Sequence, residues 1–181
     1  MRAAIGLLAS FAGVFVALLV QQAIPPVHAF EGARWLFVPA IFCLAAISLP
    51  FPAMLGAALF TGFLCDLAYL HVVGGQVEIA LGCSIIFFVI LGSVANGFRP
   101  SFERGRWWPL VPLSAVGTSS FLLLQFAMIS LRRQSLEIEA AVAWRILLPG
   151  ALAAVFSVAL YFAVRQLEGL LPSPSNPGRG F

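Results

Sequence analysis

Long apolar runs separated by short polar segments make up almost the whole chain. Six runs have close to the 20 apolar residues, about 30 Å of helix, that a membrane span needs. The pattern predicts an all-α fold, a polytopic membrane bundle of about six transmembrane helices with short loops. The predicted spans cover residues 5–24, 34–49, 52–70, 77–98, 108–131 and 144–167.

The second predicted span is the shortest, and only Leu49-Pro50-Phe51-Pro52 separates it from the third. Proline ends one helix and suits the first turn of the next. We therefore expect a tight hairpin between two helices rather than one long kinked helix.

The composition agrees with a chain that lies mostly in lipid. Of 181 residues, 61% are hydrophobic and 9% are charged, and the mean hydropathy is +1.02. Soluble domains carry about 25% charged residues. We expect a single transmembrane domain over residues 1–170, followed by a disordered tail over 171–181 that is rich in Pro, Ser and Gly.

The ten basic residues are all arginine, and they favour one side of the predicted bundle. With six spans, both termini share a side that carries six of the ten. Because short cytoplasmic loops are enriched in basic residues, both termini are predicted to be cytoplasmic. The six are Arg2, Arg99, Arg104, Arg106, Arg165 and Arg179, and the other four are Arg34, Arg132, Arg133 and Arg145.

Asp66 is the one acidic residue in the middle of a predicted span. A carboxylate at the centre of a membrane helix costs about 2.5–3.5 kcal/mol, so it needs a partner, a proton or a task. One hypothesis is an ion pair with Arg145, which enters the sixth span from the same side. The alternatives are a protonated Asp66 bonded to Thr61 or nearby backbone, and an Asp66 facing a wet cavity near His71 and Gln76.

Small residues on the predicted helices indicate where the helices pack. Lipid is as apolar as leucine, so membrane helices associate through the close approach of small side chains. In the third span, Gly62 lies on the same face as Asp66. The first span carries a stripe of Gly6, Ser10, Gly13 and Ala17.

No motif indicates catalysis, a cofactor or a metal. The three cysteines, Cys43, Cys65 and Cys83, lie in apolar segments, and their spacing matches no metal or redox motif. An enzyme site needs at least two cooperating groups, and the spans offer Asp66 alone. The sequence therefore favours a protein that is not an enzyme.

The segment from Gly56 to Leu81 resembles the signature of the rod shape-determining protein MreD family. The elements that carry the resemblance are Gly56, Gly62-Phe63-Leu64-Cys65-Asp66-Leu67, Gly74-Gly75 and Ala80-Leu81. A glutamine near the end of the first span (Gln21) and a proline in the second (Pro39) are similar to that family as well.

The resemblance implies a scaffold subunit of the bacterial cell-elongation machinery, located in the inner (plasma) membrane. Such a subunit binds the bitopic partner MreC and works with the actin-like MreB and the peptidoglycan synthases. Its partners would be held by helix surfaces within the lipid bilayer.

The alternative is a vitamin-binding substrate subunit of an energy-coupling transporter, a family with a similar length and six spans. A small-residue face on the first helix (Ala9, Gly13 and Ala17) would then dock the transporter. The vitamin would need polar groups in an outward pocket. The candidates are Asp66, His71, Gln76 and Glu78.

Overall fold

The structure, a computed structural model, describes residues 2–25, 35–69, 72–73, 76–77, 82–133 and 140–170. Helices account for nearly all of this described part, and one two-stranded ladder joins two of them. The elements are α1 (Arg2–Ala23), α2 (Val38–Ser48), α3 (Phe51–Ala68), β1 (Val72–Val73), β2 (Gln76–Val77), α4 (Cys83–Gly97), α5 (Arg99–Glu103), α6 (Leu110–Arg133) and α7 (Ala140–Leu170). The predicted tail over 171–181 lies outside the described residues.

Four of the described helices are long and apolar enough to cross a membrane: α1, α3, α6 and α7. The prediction of a helical membrane bundle is thus confirmed, but the count of six spans is not. The other two apolar helices, α2 and α4, have 11 and 15 residues. At 1.5 Å per residue they extend only about 16 Å and about 22 Å.

The fourth predicted span starts later than expected. Val77 pairs with Val72 in the antiparallel ladder instead of continuing a helix. The helix begins after Gly82, whose φ of 100° is left-handed and favours glycine. The predicted hairpin at Pro50 is confirmed, because Pro50 has an extended backbone and lies between α2 and α3.

The shortest of the six apolar helices, α2, is the centre of the bundle. It packs against α1, α3, α4, α6 and α7, and eight of its eleven residues are buried. Phe42 packs edge-on against Phe88 of α4, with 5.0 Å between ring centroids, and Phe88 packs on Phe121 of α6. The sequence of α2 is apolar on all sides of the helix, which is typical of a helix in a buried position.

One end of the bundle is defined by contacts around the last turn of α2, and we call it the Arg99 end. A Cβ on Gly6 of α1 would lie 3.2 Å from Leu49. Asn96 of α4 also reaches Leu49. The rings of Phe102 and Tyr161 pack with centroids 5.6 Å apart, so the later part of α7 lies at this end too.

The opposite end, which we call the Asp66 end, joins the last turn of α1 to α2 and α3. The Gln21 side chain donates to the Tyr69 hydroxyl at 2.7 Å and accepts from the Phe37 backbone N–H at 3.3 Å. Phe121 of α6 packs against Tyr69. Successive helices among the six apolar ones therefore run in alternating directions.

The helices α6 and α7 approach closely where Pro149 interrupts the hydrogen-bond pattern of α7. A Cβ on the following residue, Gly150, would lie 3.0 Å from the Ala115 carbonyl oxygen. The Ser119 hydroxyl donates to the Ile146 carbonyl at 3.3 Å. The hydroxyl thus links α6 to the turn of α7 that precedes the proline.

Large apolar side chains on the outside of the described bundle face what would be lipid. Ile86, Ile90 and Val94 form one such exposed row on α4. Exposed tryptophans lie near the ends of long helices, Trp107 and Trp108 before α6 and Trp144 near the start of α7, as expected for the headgroup layers.

Some buried polar atoms in the described core have no hydrogen-bond partner. The Ser114 and Thr118 hydroxyls lie one turn apart on α6, and both residues are fully buried. The full set is Thr61 Oγ1, Ser114 Oγ, Thr118 Oγ1 and Gln125 Nε2.

Replacing Thr118 with valine should leave the thermal unfolding temperature unchanged or raise it. Valine has nearly the same shape, and an unpaired buried hydroxyl costs about 1–3 kcal/mol. Thermal unfolding of the purified protein in detergent measures the effect. Asn96→Ala serves as the contrast, because it removes a bonded amide and should destabilise; an equal loss for both variants would contradict the prediction.

Candidate functional site

The Asp66 carboxylate caps the start of helix α4 from the neighbouring helix α3. Its two oxygens accept hydrogen bonds from the backbone N–H groups of Gly82, at 2.6 Å, and Ser84, at 3.2 Å. The first N–H groups of a helix have no partner within the helix. Gly82 has no side chain to supply one, so Asp66 takes the place of a local cap. A carboxylate is also favoured there by the helix dipole.

These contacts replace the expected ion pair between Asp66 and Arg145. Asp66 is buried, with 3% of its surface exposed, whereas Arg145 is an exposed residue of α7. Among the described residues, the salt bridge within 4.0 Å is Arg99 with Glu103. Backbone N–H groups satisfy the carboxylate without a second charge having to leave water, which explains why this arrangement is possible so deep in the bundle.

Gly62 allows α3 and α4 to touch. A Cβ at this position would lie 2.6 Å from the Ile85 backbone nitrogen and would also collide with the Ile85 Cα. Gly62 and Asp66 are one helical turn apart, so both face the first turn of α4. The four-residue spacing of Gly62 and Asp66 thus has a physical reason. Gly62 lets the two helices come together, and the Asp66 carboxylate accepts from N–H groups at the start of α4 that have no partner within their own helix.

The end of α2 is capped in the same indirect way at the opposite end of the bundle. The Asn96 side-chain amide donates to the carbonyl oxygens of Ala46 and Leu49, both at 2.8 Å. The Arg99 guanidinium lies 3.4 Å from the Leu49 oxygen. Donors and positive charge are favoured at a helix C-terminus, so Asn96 of α4 and Arg99, the first residue of α5, stabilise the end of α2.

The small-residue stripe of α1 lies largely against the protein itself. The Ser10 hydroxyl donates to the Gly6 carbonyl at 2.8 Å, within the same helix. A Cβ on Gly13 would contact Ile41 of α2 at 3.5 Å, and Ala17 is buried. The stripe therefore lets α1 pack on α2.

Beside that contact is an open groove between α1, α2 and α7, with a volume of about 430 Å³. Its floor includes Gly13 and Ala17, and Val16 and Val20 form its exposed rim. No polar surface lines it. The full lining is Ala12, Gly13, Val16, Ala17, Val20, Phe37, Ile41 and Phe156.

The other polar residues proposed near Asp66 lie outside the described part. This holds for the side chains of His71, Gln76 and Glu78, and for the motif residues 74–75 and 80–81. Within the described residues, no three His, Cys, Asp or Glu side chains are grouped as metal ligands would be. The described geometry around Asp66 joins two helices.

Nearby backbone was one of the alternatives that the sequence left open for Asp66, but the sequence did not identify the N–H groups of Gly82 and Ser84 as the partners. Gly82 and Asn96 stand out in the sequence as residues that open and close the fourth apolar run. The glycine was a usable signal: a glycine at a helix start has no side-chain oxygen to cap the helix, which indicates that the cap must come from elsewhere. Which distant residue supplies that oxygen depends on how the helices pack.

Comparison of the chain with protein-family models, curated proteins and solved structures found no match. The resemblance to the MreD family therefore rests on the residues quoted from the sequence.

Gly62→Ala should strongly destabilise the protein, whereas Gly56→Ala should not. The new methyl group at Gly62 would displace the backbone of Ile85, and overpacking costs about 1–3 kcal/mol. At Gly56 the Cβ meets only a Leu7 side-chain atom at 3.9 Å, and alanine favours a helix. Thermal unfolding of both variants in one detergent tests the contrast, and similar temperatures for the two would refute the close approach.

Asp66→Ala should lower stability by about 1–3 kcal/mol, since the N–H groups of Gly82 and Ser84 would be buried without an acceptor. Asp66→Asn keeps one acceptor oxygen, so it should lose less stability than Asp66→Ala. Glu103→Gln is the control, because its exposed ion pair contributes little. Unfolding temperatures give the order, and an Asp66→Ala protein as stable as the unmodified chain would contradict the capping role.

Proposed function

We propose that this chain is a non-enzymatic scaffold subunit of a bacterial cell-elongation complex in the inner membrane, and that it binds a bitopic partner of the MreC type. The observation that carries the proposal is the pairing of Gly62 and Asp66 with the start of α4. Gly62 and Asp66, two of the residues on which the family resemblance rests, organise the α3–α4 hairpin. A motif whose residues hold two helices together, instead of binding a ligand, suits a protein that functions by contacting partners through its helix surfaces.

We further propose that all six apolar helices take part in crossing the membrane, with both termini in the cytoplasm. The alternating directions of the helices support an even number of passes. In this arrangement α2 and α4 fall short of the full thickness and are completed by their neighbours. The described arginines at the Arg99 end, which would face the cytoplasm, are Arg99, Arg104, Arg106 and Arg165.

The partner's single transmembrane helix would bind in the groove between α1, α2 and α7. A groove without polar lining suits an apolar helix and gives a polar ligand nothing to bond. Small residues at its floor, Gly13 and Ala17, permit close helix packing, which is the main source of helix association in lipid. The exposed Val16 and Val20 would then be covered.

The vitamin-transporter alternative would use the same face of α1 but requires a polar pocket as well. Asp66 is a poor ligand residue, because it is buried and its oxygens accept from backbone N–H groups. The two proposals therefore differ in what should accompany the purified protein: a single-span cell-wall partner or a vitamin together with an ATPase module.

A groove-filling substitution, Ala12→Phe, should abolish co-purification of the bitopic partner. The phenyl ring would occupy the space that the partner helix needs. Ala151→Phe is the matched control, since Ala151 is exposed on α7 and does not line the groove. The measurement is affinity purification of the tagged chain from the host membrane, followed by mass spectrometry of its partners.

Loss of the partner with Ala12→Phe but not with Ala151→Phe would support both the scaffold function and the groove. Equal recovery in both variants would exclude the groove as the binding surface. Recovery of a bound vitamin and an ATPase module, with no cell-wall protein, would overturn the scaffold function in favour of the transporter.

A further inference from the structure

A second cavity opens at the Arg99 end, between the last turns of α2, helix α5 and the final third of α7. Its volume is about 280 Å³. Unlike the groove on α1, it has both polar and apolar walls. The lining residues are Leu44, Ser48, Phe102, Glu103, Gly105, Tyr161, Val164 and Arg165.

The position of this cavity corresponds to the membrane boundary. Arg165 lies at the end of the apolar stretch Val142–Gln166 of α7. Trp107, which precedes α6, stacks on Tyr161 with ring centroids 6.2 Å apart. Tryptophan and tyrosine rings prefer the headgroup layer, so the cavity lies where headgroups would meet the protein.

A positive charge is already positioned in the cavity wall. The Arg165 guanidinium carbon lies 5.7 Å from the centre of the Tyr161 ring, and Tyr161 is buried. Among the side chains that the structure describes, which in α7 end at Gln166, no carboxylate lies within 4.0 Å of this guanidinium. The one acid in the lining, Glu103, is already bonded to the Arg99 Nε at 2.9 Å. Arg165 is therefore available to an anion.

The two kinds of wall fit an amphipathic anion. The Arg165 guanidinium provides N–H donors for a phosphate, while Leu44 and Val164 provide apolar surface beside it. Arg104 and Arg106 are exposed at the same end of the bundle, so the local charge is positive. Basic pockets between membrane helices are suited to anionic lipid headgroups.

We infer that this cavity binds the phosphate headgroup of an anionic phospholipid, with Arg165 as the main contact and the acyl chains running along α7. The inference does not depend on the proposed scaffold function. It assigns a specific lipid site to a protein for which lipid would otherwise be only a solvent.

The test is native mass spectrometry of the full-length protein with phosphatidylglycerol and phosphatidylcholine in competition. The unmodified protein should retain phosphatidylglycerol preferentially. Arg165→Gln should weaken that retention about fivefold, the effect of the ~1 kcal/mol that one basic residue contributes near an anionic surface. Arg104→Gln is the matched control, because Arg104 is exposed at the same end but does not line the cavity, and it should change retention less than twofold.

Val164→Trp separates a shaped site from general attraction, since it fills the cavity and keeps every charge. It should reduce retention at least as much as Arg165→Gln. It also keeps the test valid should Arg165→Gln fold poorly. Equal losses for Arg104→Gln and Arg165→Gln, or full retention by Val164→Trp, would overturn the site. Displacement of the lipid by millimolar glycerol phosphate would show a site for soluble phosphates and overturn the lipid assignment.

Discussion

Lipid offers no hydrogen-bond partners, and the ends of short helices are where this constraint is most severe. A helix leaves its first N–H groups and its last carbonyl groups without internal partners. With 11 and 15 residues, α2 and α4 end before they could reach water on both sides of a hydrocarbon layer about 30 Å thick. A helix end that does not reach water must have its free backbone groups satisfied by protein. Asp66 does this for the start of α4, and Asn96 with Arg99 does it for the end of α2.

The rest of the bundle follows from where these two caps must lie. A carboxylate on α3 can reach the first turn of α4 only if the two helices nearly touch, and Gly62 makes that approach possible. Similarly, a second glycine on α4, Gly92, fits against Met54 and Phe42, where a Cβ would lie 2.6 Å and 2.9 Å away. Both short helices thus pack closely against their neighbours, and α2, with eight of its eleven residues buried, becomes the core around which the long helices pack.

Once the helices have packed, much of the small-residue surface is occupied inside the protein. Gly6, Ser10 and most of the face of α1 that carries them contact α2 or their own helix. The surface of the described bundle includes the apolar groove beside Gly13 and the mixed cavity beside Arg165. Their linings differ in chemistry, so the first suits another helix and the second suits a charged headgroup. The proposed scaffold function would use the groove for its partner, and the proposed lipid site would use the cavity for the bilayer.

The sequence by itself determined that this is a helical membrane protein, because hydropathy depends only on which residues follow one another. It also determined the hairpin at Pro50, whose ring restricts the backbone locally, and it marked Gly62 and Asp66 as residues with a special role. It did not determine that α2 is buried and short of a full span, or that α4 begins only after Gly82. Nor did it identify the partner of Asp66: Arg145 was a reasonable ion-pair candidate by depth, but the carboxylate bonds backbone N–H groups. Those outcomes were decided by the tertiary structure. The free backbone groups at a helix end can bond a distant residue only when packing brings that residue within hydrogen-bond distance, and the local sequence does not specify which residue this is.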